Sequence, residues 1–354
     1  MSRIQPPAPA TAAAAAAAAA AVSPFTPGSI GANGPVVGVN LYAVDNYSAA
    51  QTTTDAKRTL SYIKNDLRAG AVDIAWNFYN PTPTASNVVT SKATTLTAAD
   101  VAIITKLAIS TYHLQVEYRP MMFVQKDTHW AGTINPEKPA AWFASFYQAN
   151  LPYLKVAQRY HISEYVMATE MVDLTSQDNL WAALFARSAK TYKGQISVTA
   201  HQAYYFPPHF KVPATRLTGF DFYESLKLPP TAPLKEVVAD YEKFFDKTPA
   251  TQLRRTAIQE TGIAAVDGAY QNPSNLGLTG TINQAVQYNW IIAGCDAVHK
   301  FDLRGIFFWK VDLADRPLRP AHNPGNFEGR TGATAIAACT SILHPRPAKK
   351  GGKK

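Results

Sequence analysis

The chain has 354 residues, of which 47% are apolar, 17% charged and 11% aromatic, with 25 prolines. That balance excludes a disordered or coiled-coil protein and supplies enough apolar residues for one large core, such as an α/β barrel of roughly 250 residues with insertions. The formal charge of +9 does not argue for a nucleic-acid partner. Six of the positive charges sit in two tails, at Arg3, Arg346, Lys349, Lys350, Lys353 and Lys354, which leaves only about +3 on the body between them.

Residues 1–33 are an Ala/Pro-rich low-complexity extension with an unbroken alanine run from Ala12 to Ala21. Arg3 ahead of that run gives a faint secretory-signal pattern, but prolines precede it and alanine is only weakly hydrophobic, so a flexible extension is expected and the compartment stays unassigned. Secretion or a cell-envelope location is left open. No run of about 18 strongly apolar residues occurs, so no spanning helix is expected.

From Pro35 onward short apolar runs alternate with longer amphipathic ones, the pattern of repeated βα units around a parallel sheet. The strands are expected at Val36–Leu41, Val72–Phe78, Leu114–Met122 and a run ending at Glu170. Four more follow at Ile196–Ala200, Leu217–Tyr223, a run ending at Glu260, and Gly305–Val311. Helices are expected near Thr53–Arg68, after Thr97, at Pro139–Tyr160, Leu180–Ala189, Leu234–Phe245, Thr281–Val298 and Thr331–Leu343, where apolar residues recur at helical spacing. Eight such units predict a single (β/α)8 TIM barrel over residues 34–343, followed by a basic tail at 344–354.

Cys295 and Cys339 each lie in an apolar helical context rather than a CxxC pair. Small core residues are the expectation, and a disulfide is the alternative should adjacent helices bring them together. The sequence has no GxSxG elbow, P-loop, HExxH or dinucleotide glycine fingerprint, and His201 and His209 have no carboxylate at metal-ligand spacing. Neither a metal nor a cofactor is expected.

Two of the apolar runs end in a carboxylate: Tyr165-Val166-Met167-Ala168-Thr169-Glu170, and Thr256-Ala257-Ile258-Gln259-Glu260 before Thr261-Gly262. On strands four and seven of a barrel, both would reach one rim, which suits two carboxyls flanking a glycosidic bond. With the motif Asp221-Phe222-Tyr223 on strand six, the chain resembles the retaining TIM-barrel glycoside hydrolases of clan A. It is most like the β-mannanase-like family 113. That family shows Thr-Glu-Leu on strand four, Asp-x-Tyr on strand six and Glu-Thr-Gly on strand seven. The likeness covers Val36 to Val311, and its departures are Thr169, where the wider superfamily usually has Asn but family 113 does not, and Met171 in place of Leu.

The resemblance implies Glu170 as acid/base and Glu260 as nucleophile in a retaining hydrolysis of a β-linked poly- or oligosaccharide, with mannan the first expectation. Arg119 would hold a carboxylate or a sugar hydroxyl, Tyr223 would donate to Glu260, and Asp221 would organise Tyr223 or bind substrate. Trp309, at the end of strand eight, would be the sugar platform. Trp76, Asn77, His129, Trp130, His201 and Tyr205 are further cleft candidates by rim position. The alternative is a non-catalytic carbohydrate-binding or cell-surface barrel, since this fold alone does not decide function.

Overall fold

Eight parallel strands close into a barrel in chain order: β1 (Val36–Ala43), β2 (Ala71–Asn80), β3 (Gln115–Val124), β4 (Glu164–Thr169), β5 (Gln195–His201), β6 (Leu217–Phe222), β7 (Ala257–Thr261) and β8 (Gly305–Asp312). The structure is a computed structural model that describes residues 29–44, 47–125, 130–205, 216–315 and 323–344. The alanine run, His129 and residues 345–354 of the basic tail lie outside them.

Around the strands pack seven long helices: α1 (Ala49–Ser61), α2 (Ala98–Ser110), α3 (Pro139–Tyr160), α4 (Asp178–Ser188), α5 (Leu234–Phe245), α6 (Gln284–Phe301) and α7 (Thr331–Leu343). Several begin where side chains satisfy free backbone donors: Ser48 Oγ accepts from Gln51 N, Thr97 Oγ1 from Asp100 N and Asn283 Oδ1 from Ala285 N. The cap at Ser48 starts α1 earlier than its apolar stripe suggests, and a wider π-turn at Tyr62–Asp66 carries it on. Between β5 and β6 the described residues hold only the one-turn helix Gln202–Tyr205. No helix among the described residues is long and apolar enough to cross a membrane.

The layer between strands and helices is built from large rings. Trp76, Trp142, Trp181 and Trp290 are all fully buried there. Two of them also fix helices to strand ends near the upper rim: Trp142 Nε1 donates to Asn80 Oδ1 on β2 (2.7 Å), and Trp290 Nε1 to Thr261 Oγ1 on β7 (2.9 Å). A buried ring with its polar atom satisfied contributes packing without an orphaned donor.

Strand alternation overturns one expectation directly. Asp73 and Asn77 point into the barrel, so Trp76 must point out. It stacks on Tyr153 of α3 (ring centroids 4.4 Å apart, 15° between planes) and is core rather than cleft. Tyr205 is likewise buried, its ring against Phe220 and its hydroxyl bonded to Thr256 Oγ1, so it fills the thin wall between β5 and β6 instead of lining the cleft.

The expectation of free core cysteines is also overturned. α6 and α7 pack side by side, with the Cα atoms of Cys295 and Cys339 5.5 Å apart, and the two form a disulfide. At the lower end, Ser29 and Ile30, counted with the extension by sequence, are buried. Ile30 packs with Val36, Ala71 and Phe307.

Candidate active site

Arg119 is the centre of the upper barrel. It is fully buried on β3 and its guanidinium reaches four other strands. Nε donates to Asp73 Oδ2 (2.7 Å) on β2, Nη1 to Thr169 Oγ1 (3.1 Å) on β4 and Asp221 Oδ1 (3.1 Å) on β6, and Nη2 to the Gln259 carbonyl (2.6 Å) and Oε1 (3.2 Å) on β7. Thr169 and Gln259 are the residues immediately before Glu170 and Glu260. One planar cation therefore ties both strand ends that present the two glutamates.

Each glutamate leaves its strand by a local irregularity. Glu170 follows β4 with φ +54°, a left-handed backbone that costs an L-residue on the order of 1 kcal/mol. It is held there by Glu170 N donating to the Thr199 carbonyl (3.2 Å) and Val172 N to the Glu170 carbonyl (2.9 Å). On β7 the pairing shifts register against both β6 and β8. A regular strand would send consecutive residues to opposite faces, yet Gln259 and Glu260 both approach Arg119, the latter with Oε2 3.6 Å from Nη1. Gly219 makes this possible, because a Cβ there would lie 2.1 Å from Gln259 Cγ.

The two carboxyls have different surroundings. Tyr223 Oη donates to Glu260 Oε1 (2.8 Å), and Arg119 stands behind Oε2. Burial and the charge of Asp221 push Glu260 up to about 8, against the downward pull of Arg119 and Tyr223. Glu170 is driven well above the usual carboxylate range by burial first, then by the charges of Asp221 and Glu260. Its hydrogen-bond donor is Trp130, whose Nε1 lies 2.6 Å from Oε2, and Arg119 contributes least. The arginine and the tyrosine both favour the charged form of Glu260, whereas Glu170 has the indole donor and only a weak pull from Arg119. Burial and the neighbouring Glu260 charge raise Tyr223 far above its ordinary value, so it remains a neutral donor.

On β8, Trp309 is 9% exposed, with its ring 5.2 Å from that of Tyr42. The Trp309–Lys310 peptide is cis. Lys310 Nζ sits 4.5 Å over the Tyr42 ring and pairs with Asp312 Oδ1 (2.5 Å). Tyr42 Oη donates to Asn77 Oδ1 (2.7 Å), and Asn77 Nδ2 to Tyr79 Oη (3.2 Å). His201, at the end of β5, meets Trp130 edge to face at 5.5 Å.

Tyr223 thus meets Glu260, Trp130 meets Glu170 and His201 meets Trp130, Trp309 and Asn77 gather around Tyr42, and Trp76 and Tyr205 lie in the core. Arg119 and Asp221 are also too deeply buried to meet a sugar. They act from beneath the cleft, where Asp221 holds Arg119 instead of substrate. Sequence reasoning missed Asp73, Gln259, Tyr42 and Lys310. For Asp73 a signal was present, since an acid inside Ala71-Val72-Asp73-Ile74 needs an internal partner, and the mid-strand Arg119 supplies one.

The sequence profile described as Glycoside Hydrolase Family 113 matches residues 42–328. No curated protein matches the chain. Among solved structures, the chain superposes on a family 113 β-1,4-mannanase with a TM-score of 0.72 at 17% identity, covering 87% of this chain and 98% of the other. A second family 113 β-mannanase, from Alicyclobacillus acidocaldarius, gives 0.70 at 16% identity over 90% and 100%. The endo-β-1,4-mannanase from Thermotoga petrophila gives 0.52 at 11% identity over 89% and 78%. At such identities the structural likenesses speak to the fold.

Proposed function

This chain belongs to glycoside hydrolase family 113 and is a glycosidase; from that premise we propose that it cleaves β-1,4-linked mannan-type poly- or oligosaccharides by double displacement with retention. The observation that carries the reading is the Arg119 clamp on Thr169 and Gln259, which fixes two differently supported glutamates on one rim. The mannan assignment draws on the likeness to two family 113 β-mannanases.

In the first step Glu170 gives its proton to the glycosidic oxygen as the C1–O bond breaks, and Glu260 forms an ester bond to C1 from the opposite face. Glu170, now ionised, then takes a proton from water, whose oxygen displaces Glu260 from C1. Arg119 and the Tyr223 hydroxyl keep Glu260 anionic until it attacks. Trp309 offers an indole face on which the C–H face of a pyranose can pack, and Asn77 and His201 add polar groups at the rim.

The test is an activity screen of the full chain on mannan, glucan and xylan beside Glu260→Ala. Wild type is expected to release reducing sugar from mannan first. The variant should be inactive and recover turnover of an activated aryl mannoside with azide, which replaces the lost nucleophile. Wild type that degrades no glycan would overturn the reading in favour of a binding barrel.

A further inference from the structure

We propose that Trp130 is the positioning residue of the acid: its indole N–H holds one oxygen of Glu170 so that the other faces the bond to be broken, while its open ring face forms the platform for the leaving-group sugar. The proposal rests on the assignment of Glu170 as acid.

Trp130 is 42% exposed, an unusual state for a large ring, yet it is not loose. Its carbonyl accepts from Thr133 N (3.0 Å) and Thr133 Oγ1 (2.8 Å), which pins the turn. The ring lies directly on Gly132, where a Cβ would come within 2.4 Å of it, so only glycine allows this approach. His201 braces it from the side at 5.5 Å. His201 Nδ1 accepts from Ala203 N and burial pushes its pKa down, so the imidazole is a neutral brace. With Gly132 and His201 packed against it, Trp130 still keeps 42% of its surface open to solvent while its N–H is bonded to the acid.

The hydrogen bond to Glu170 Oε2 has a chemical consequence. When Glu170 releases its proton to the leaving oxygen, negative charge appears on the carboxylate, and a donor already 2.6 Å from it stabilises that charge without rearrangement. Among the described residues, Asp221 and Glu260 disfavour the ionisation of Glu170 and Arg119 favours it, with Tyr223 a neutral neighbour. Trp130 is therefore the one neutral donor among them bonded to the acid itself. A sugar seated on the ring would also shut water away from that bond, coupling leaving-group binding to proton transfer.

Three full-length variants test this. Trp130→Phe keeps a ring and loses the donor, Gly132→Ala displaces the ring and the donor it carries together, and Glu170→Ala removes the acid. Each is assayed with manno-oligosaccharides and with a dinitrophenyl mannoside, whose leaving group needs no proton. For Trp130→Phe, kcat/KM on oligosaccharide is expected to fall on the order of tenfold or more, with the alkaline limb of its pH profile moved to higher pH, because a group favouring the ionised acid is gone. The activated substrate should be nearly unaffected. Gly132→Ala, which moves platform and donor together, should both raise KM and lower kcat for oligosaccharide and spare the dinitrophenyl substrate. Equal losses on both substrates, or an unmoved alkaline limb, would overturn the proposal. Failure of the underlying assignment looks different: Glu170→Ala would itself retain oligosaccharide cleavage.

Discussion

Strand β4 carries a glutamate at each end, and the two live in opposite circumstances. Glu164, at the lower end, is fully buried and saturated: Oε1 accepts from Ser197 Oγ (2.6 Å) and Thr218 Oγ1 (2.7 Å), and Oε2 from Arg304 Nη2 (3.0 Å). Glu170, one residue past the upper end, has a left-handed backbone and a single indole donor. The same side chain on the same strand is locked in the core where three donors hold both its oxygens, and under the proposed mechanism moves a proton where an indole holds one of them. Stability is invested at the floor and reactivity at the rim.

Exchanging the two glutamates in turn for alanine should separate these roles. Glu170→Ala is expected to lower kcat/KM on oligosaccharide by roughly 10²–10⁴-fold, the range for a lost general acid, with little change in Tm. Glu164→Ala removes the carboxylate that Arg304 and two hydroxyls share inside the barrel, and removing one partner of a buried ion pair costs about 3–5 kcal/mol. Its thermal unfolding should shift strongly downward while the folded fraction keeps wild-type kcat/KM. Activity lost from Glu164→Ala at a temperature where it is folded would break the distinction between floor and rim.

The disulfide sharpens the same contrast. Cys295 and Cys339 join the last two helices across 44 residues of chain, away from either glutamate. Replacing both by serine, or reducing the bond, is expected to cost roughly 2–4 kcal/mol and to lower Tm, with catalytic constants unchanged below the new transition. Calorimetry with and without reductant, paired with initial rates, checks it.

How much of this could be read from sequence depends on how local the cause is. The eight strands and most helices were legible, because period-2 and period-3.6 burial and the capping residues act within a few positions; α3, α5 and α7 start and stop where expected. Glu170, Glu260 and Tyr223 were legible as strand-end residues with a family motif around them, and Trp309 by its strand-end position alone. Trp76 was misread because rim position was weighed without parity, and Tyr205 because the wall between β5 and β6 lacks a long helix among the described residues. The Arg119 network was half legible. A buried arginine demands acids, but which four strands it would join follows only from barrel closure. The register shifts that turn Gln259 and Glu260 to the same side leave no mark in composition beyond Gly219, and the cysteine pairing depended on which helices became neighbours.

The smallest expected effect is also the most discriminating about which glutamate does what. Tyr223→Phe removes the hydroxyl that donates to Glu260 Oε1 and nothing else from the clamp. That bond favours the ionised form, so its loss raises the pKa of Glu260. Because the reaction needs Glu260 ionised, activity should disappear at a higher pH on the acidic side than in wild type, while the alkaline limb, set by the acid, holds still. The rate at the optimum should fall about tenfold, in keeping with one hydrogen bond to a charged group. Trp130→Phe acts on the other partner and should move the other limb. If Tyr223→Phe instead displaced the alkaline limb, Glu260 would be the residue that carries the proton, and the roles of the two glutamates would have to be exchanged.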